Sequence, residues 1–283
     1  MKAQRFALAL ALLAVAATGV SAATAGSGPA KGDRAAMRDL RGVNFVSVCR
    51  FGHRAPDDPI VFPGQPGKSH DHSFVGNVST DAFSTVASLQ EASTTCRRQG
   101  DTAAYWMPTL YVDGSPVAPL GATIYYRRRT LDGVQPFPTG LKMIAGDSHA
   151  TSPQSLKVTY WNCGAAPGVQ PSSAVPACPD GRATSLRLHV NFPSCWDGRD
   201  LYSADQGHMA YPTRGRCPSS HPVAVPAISF IFRYPVTGSH DVALSSGTQY
   251  SGHADFFNAW NQETLASLAD GCLNALRHCG RGV

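Results

Sequence analysis

Eight cysteines constrain this chain more than any other feature: Cys49, Cys96, Cys163, Cys178, Cys195, Cys217, Cys272 and Cys279. The number is even, and no two are spaced as CxxC. That argues against a zinc ribbon and for the disulfides of an exported protein. Two pairings are local. Cys163 with Cys178, and Cys195 with Cys217, would close loops rich in Pro, Gly and Ser that lack a core of their own. The partners of Cys49, Cys96, Cys272 and Cys279 stay open at this level.

The N-terminus fits export. Lys2 and Arg5 precede an apolar run, Phe6 to Ala17, and Val20-Ser21-Ala22 is a cleavage-type sequence. The run is too short for a mature membrane helix, and no later stretch is long and apolar enough to be one. The expected division is a signal peptide over 1–22, a flexible leader over 23–42 and one β-rich domain over 43–283. The expected location is extracellular or in the cell envelope. The formal net charge of +5 is mild. No lysine-arginine block of nucleic-acid type is present, and Arg127-Arg128-Arg129 reads as a strand end.

From Val43 onward, short apolar or alternating runs are separated by Pro and Gly, an all-β pattern. Strands are expected over Val43–Val48, Tyr105–Val112, Thr123–Arg129, Leu141–Ala145, Leu156–Trp161, Ser185–Phe192 and Ile228–Tyr234. Two helices are expected. One runs from Ser84 to Glu91. The other covers Asp255–His278, where Phe256, Trp260, Leu265, Leu268, Cys272 and Leu276 recur near a period of 3.6, with a break near Gly271. The resulting fold class is mainly β: a disulfide-stabilised β-sandwich or jelly-roll with a C-terminal helix.

The chemistry concentrates in histidines. Two Pro-Gly steps, Pro63-Gly64 and Pro66-Gly67, lead into Ser69-His70-Asp71-His72. Alternate side chains of an extended segment share a face, so His70 and His72 point the same way. His208, His221 and His253 lie in rigid or glycine-flanked contexts. Neutral imidazole is both a proton shuttle and the commonest metal ligand. His70, His72, His208, His221 and His253 therefore form a ligand pool suited to zinc or copper. For acid–base chemistry, His72 or His253 would act, oriented by Asp71 or Asp255.

Other residue types narrow the choice. Only two glutamates are present, Glu91 and Glu263, which disfavours a two-glutamate glycosidase. GxSxG, P-loop and dinucleotide fingerprints are missing. Tyr105, Trp106 and Trp196 offer rings that a sugar face can pack on, and Asp101 offers a carboxylate beside them. Most of the aromatics are expected in the core.

Several blocks together resemble the secreted DUF1996 family. They are Asp58-Pro59-Ile60-Val61-Phe62-Pro63-Gly64 with Ser69-His70-Asp71-His72, then Asp101 to Tyr111, and Phe137 to Gly146. Phe192-Pro193-Ser194-Cys195-Trp196-Asp197-Gly198, Cys217 to Val223 and Gly252-His253-Ala254-Asp255-Phe256 follow in order. Ala254 departs from the small glycine common in the last block. The resemblance implies a wall-associated extracellular setting, and it carries over no catalytic residues.

The expected function is action on cell-wall or extracellular polysaccharide through a His/Asp-rich cleft, as a glycan hydrolase or lyase. Two alternatives stand beside it: a non-catalytic carbohydrate-binding or wall-stress protein, and an exported transition-metal-binding protein. The expected partner is a glycan or wall polymer, with no nucleic acid and no integral membrane segment.

Overall fold

The computed structural model describes residues 31–280. The expected signal peptide, 1–22, lies outside the described residues, as does the first part of the expected leader. Residues Lys31–Asp39 form a helix where a flexible leader is expected, and Leu40 and Val43 after it are buried. Among the described residues, no helix is long and apolar enough to cross a membrane.

The domain is mainly β. One five-stranded antiparallel sheet has the order Asn44–Cys49, Gly121–Arg127, Ala227–Arg233, Arg187–Asn191, Thr159–Asn162. A second has the order Phe51–Ala55, His72–Gly76, Ala104–Pro108, His253–Phe257, Lys142–Gly146, again antiparallel. Two small three-stranded sheets complete the strand set among the described residues. Alternation sorts the strand faces. Phe45, Ile124, Tyr126, Leu188 and Phe230 from the first sheet share a core with Val75, Tyr105, Met107, Met143 and Phe256 from the second. The rings of Tyr105 and Phe230 meet across it, 5.5 Å apart.

The opposite face of the second sheet carries a smaller cluster, with Ile60, Phe74, Leu89, Trp106 and Phe257. Segments outside the sheet cover it. Ile60 comes from the loop after Ala55, and Leu89 from the helix Val86–Glu91, which is capped by Thr85.

The strand expected over Leu156–Trp161 runs only over Thr159–Asn162, after a turn at 156–158, and two elements differ further from the sequence reading. The single strand expected over Tyr105–Val112 is two, Ala104–Pro108 and Leu110–Val112. Pro108 has no N–H to extend the ladder, and the Thr109 N–H donates to the Asp71 carbonyl instead. The helix expected from Asp255 starts only at Gln262, capped by Asn261, and passes at Ala269 into a π-helical turn containing Gly271. Residues His253–Phe257 are instead a wholly buried strand between two neighbours. A short apolar run fits either period, and here pairing on both edges decides it.

All eight cysteines are paired: Cys49–Cys96, Cys163–Cys178, Cys195–Cys217 and Cys272–Cys279. Both local pairings expected from the loops are present.

Candidate metal centre

The site lies on the covered face of the second sheet. His72 stands opposite Pro108, and Asp255 opposite Trp106. Two residues along the strand from Asp255, His253 comes level with Pro108. His72 and His253 thus flank Pro108, and their ring centroids lie 5.8 Å apart. His70 joins from the turn before the strand. Its ring centroid lies 4.3 Å from that of His72 and 5.0 Å from that of His253. The three residues each present one ring nitrogen within 4.8 Å of the others.

Hydrogen bonds fix two of the rings. The Nδ1–H of His72 donates to the Asp57 carbonyl at 2.9 Å, and that of His253 to the Ser251 carbonyl at 2.9 Å. A carbonyl only accepts, so Nδ1 carries the proton in both and Nε2 keeps its lone pair. His72 Nε2 is buried with no hydrogen-bond partner among the described residues. His253 Nε2 lies 3.2 Å from His70 Nε2, so His70 donates there. Backbone carbonyls that orient imidazoles through their second nitrogen are the usual support of a metal-binding histidine.

The electrostatics agree with neutral imidazoles. Burial, then the His70 and His253 rings, holds His72 well below the ordinary histidine range. Burial pushes His253 down to about 3. Burial and the His149 imidazole bring His70 down to about 4. Asp255 lies beside them, with Oδ2 4.0 Å from His253 Nε2 and no hydrogen-bond partner among the described residues. Burial and the neighbouring Asp58 carboxylate push Asp255 well above the usual carboxylate range.

The five-histidine pool is not gathered whole. The Nε2–H of His208 donates to the Lys142 carbonyl at 2.8 Å, and its Nδ1 accepts from Ser203 at 2.9 Å. Lys142 pairs with Phe257, about 13 Å along the strand from His253. His221 is likewise engaged at both nitrogens, by the Gly207 carbonyl and the Ser220 hydroxyl. Both rings brace loops. Asp71 also departs from the orienting role expected of it. Alternation turns its side chain away from His70 and His72, and it pairs with Arg54 at 2.9 Å.

The expected sugar contacts divide. Tyr105, Trp106 and Asp101 have no exposed surface, so none can meet a sugar directly. Asp101 accepts from Ser47 at 2.5 Å and from Tyr105 at 2.7 Å within the core. Two buried cysteines lie near it, but their sulfurs form the Cys49–Cys96 bridge and are not free to bind a metal. Trp196 is half-buried at the surface, its indole N–H on the Asp200 carbonyl. Sequence reasoning passed over Asp58 as part of a family block. It is buried, accepts the N–H groups of Ile60 and Val61, and adds a second carboxylate near Asp255. The turn chemistry of an Asp before a Pro was the available signal.

No curated protein and no solved structure matches the chain. The family model described as a domain of unknown function, DUF1996, matches residues 58–260, a span that holds all three clustered histidines, and the chain belongs to that family.

Proposed function

We propose that this protein is an exported transition-metal-binding protein, with His70, His72 and His253 as ligands to zinc or copper. The observation that carries the reading is the pair of buried imidazoles whose Nδ1 protons are committed to backbone carbonyls, which leaves each Nε2 with its lone pair inside a group of three histidines whose ring nitrogens lie within 4.8 Å of one another. Nitrogens on the edge of a tetrahedral zinc site lie roughly 3.3 Å apart. The His70–His253 separation is 3.2 Å. Asp255 would stand as a fourth ligand or a charge partner. Four disulfides support an oxidising compartment. The core shared by the two five-stranded sheets supports a sandwich arrangement.

Elemental analysis of untagged protein, with Zn²⁺ and Cu²⁺ titrations, tests the reading. One ion per chain, lost in His72→Ala, is expected. An unaltered ion content in that variant would sink it.

A second reading, hydrolysis or cleavage of an extracellular glycan, is favoured by the burial of Asp255, which pushes its carboxyl well above the usual carboxylate range and so toward the form that can donate. His72 and His253 suit the base role less well, because both are pushed away from neutrality. Turnover of a wall glycan by wild type, lost in Asp255→Asn with metal content intact, would select this reading.

A further inference from the structure

We infer that the outer face of the first sheet is a binding site for an acidic polysaccharide, separate from the histidine cluster. The five strands of that sheet contain no aspartate or glutamate. Their outward positions include Arg187 and Arg233, which stand directly opposite each other on neighbouring strands. Like charges in that position destabilise a sheet, and no carboxylate pairs with either among the described residues. Arg233 further depresses the Arg187 guanidinium, after burial. Arg187 Nη2 donates to the Ala183 carbonyl at 3.3 Å, but its Nε is buried without a hydrogen-bond partner among the described residues. A site that keeps such a cost is built for an incoming anion.

The surface is concave there. A cavity of about 590 Å³ is lined by Arg50, Arg97, Arg187, Arg233 and Tyr125. The Cys49–Cys96 bridge forms part of its wall and holds Arg50 and Arg97, each the next residue after a bridged cysteine, close together beyond the end of the strand Asn44–Cys49. Guanidinium forks recognise carboxylate, sulfate and phosphate oxygens in pairs.

The basic surface continues beyond the cavity. Arg233 pairs with Gly121 at one end of the strand Gly121–Arg127, and Arg127 ends the other. The two arginine positions are about 20 Å apart. Between them lie Tyr125, with the Arg127 guanidinium 4.4 Å over its ring, and the stacked pair Tyr160–His189. Charges at both ends of an aromatic floor suit successive acidic sugar units better than a single small anion.

Affinity electrophoresis in gels containing polygalacturonate, dextran sulfate or neutral dextran tests this. Wild type should be retarded by both acidic polymers, less as salt rises, and not by dextran. Arg187→Gln/Arg233→Gln should weaken retention about tenfold while the unfolding midpoint holds or rises, since the opposed like charges are gone. Should that variant fold poorly, Arg50→Gln/Arg97→Gln alters only exposed side chains and should weaken retention in the same direction. Undiminished retention in folded variants overturns the proposal. So does complete competition by inorganic phosphate, which would mark a small-ion site, or equal retention by single-stranded DNA, which would mark indiscriminate polyanion binding. Metal content plays no part in the readout, so this result stands apart from that of the histidine cluster.

Discussion

His70 Nε2 and His253 Nε2 lie 3.2 Å apart across 183 residues of sequence. Two imidazoles at that distance cannot both be protonated there. One must accept, and the carbonyl of Ser251 has already made His253 the acceptor. On the metal-binding reading, a cation would take the place of that single shared proton.

The first prediction separates this cluster from the other histidines. His253→Ala should weaken zinc binding by about 100-fold or more, the upper end of what loss of even a supporting contact costs. His208→Ala and His221→Ala should leave zinc affinity unchanged and lower the unfolding midpoint instead, because each removes two hydrogen bonds that brace a loop. Competition titration with a zinc-sensitive dye, alongside thermal unfolding, reads both effects. Equal loss of zinc in all three variants would falsify the assignment.

A glycine next to the site gives the second prediction. Gly146 pairs with His253 and has φ +90°, and a Cβ there would lie 2.4 Å from the Gly252 carbonyl oxygen and 2.8 Å from His253 Cα. Gly146→Ala must therefore move the strand that carries the ligand. The expected cost is about 1–3 kcal/mol of stability, with weakened metal binding in the fraction that still folds. Gly64→Ala also meets a positive φ, but nothing lies within 4 Å of its Cβ. It should leave metal affinity alone.

The disulfides should contribute unequally. Cys49–Cys96 closes a separation of 47 residues, and Cys272–Cys279 one of only 7. Chain entropy gives about 4 kcal/mol for the first and about 2 kcal/mol for the second. Urea unfolding of the two double-alanine variants should keep that order. The longer pair also holds Arg50 beside Arg97, so its removal should cost stability and acidic-polymer retention together.

These elements show what was legible beforehand. The local bridges could be read because loops without a core need a staple nearby. The pairing of Cys49 with Cys96 could not, since it depends on which strands become neighbours. The shared face of His70 and His72 follows from alternation, a local property. The arrival of His253, and the absence of His208 and His221, follow from strand order, which a single sequence does not encode locally. Residues 253–257 were half misread for the same reason. Their composition fits a helix start, and only the strands on either side make them a strand. Aromatic residues were least informative, because Tyr105 and Trp106 have the same chemistry in a core as on a sugar-binding surface.

Asp101 supplies the last prediction. It is fully buried, and burial pushes its carboxyl up from 3.8 to about 7, against the hydrogen bonds from Ser47 and Tyr105 that lower it. The folded state therefore holds a proton that the unfolded chain releases near pH 4. Between about pH 4 and 7 the native state binds more protons than the unfolded state, so this group's contribution falls as pH rises. It is fully present below pH 4 and lost above about 7, and the gap corresponds to on the order of 4 kcal/mol. Asp101→Asn cannot ionise and loses that dependence. Its unfolding free energy relative to wild type should climb steadily from pH 4 to pH 7 and then level off. A constant difference across that range, measured by urea titration at each pH, would show that Asp101 titrates no differently in the folded protein than in the unfolded chain.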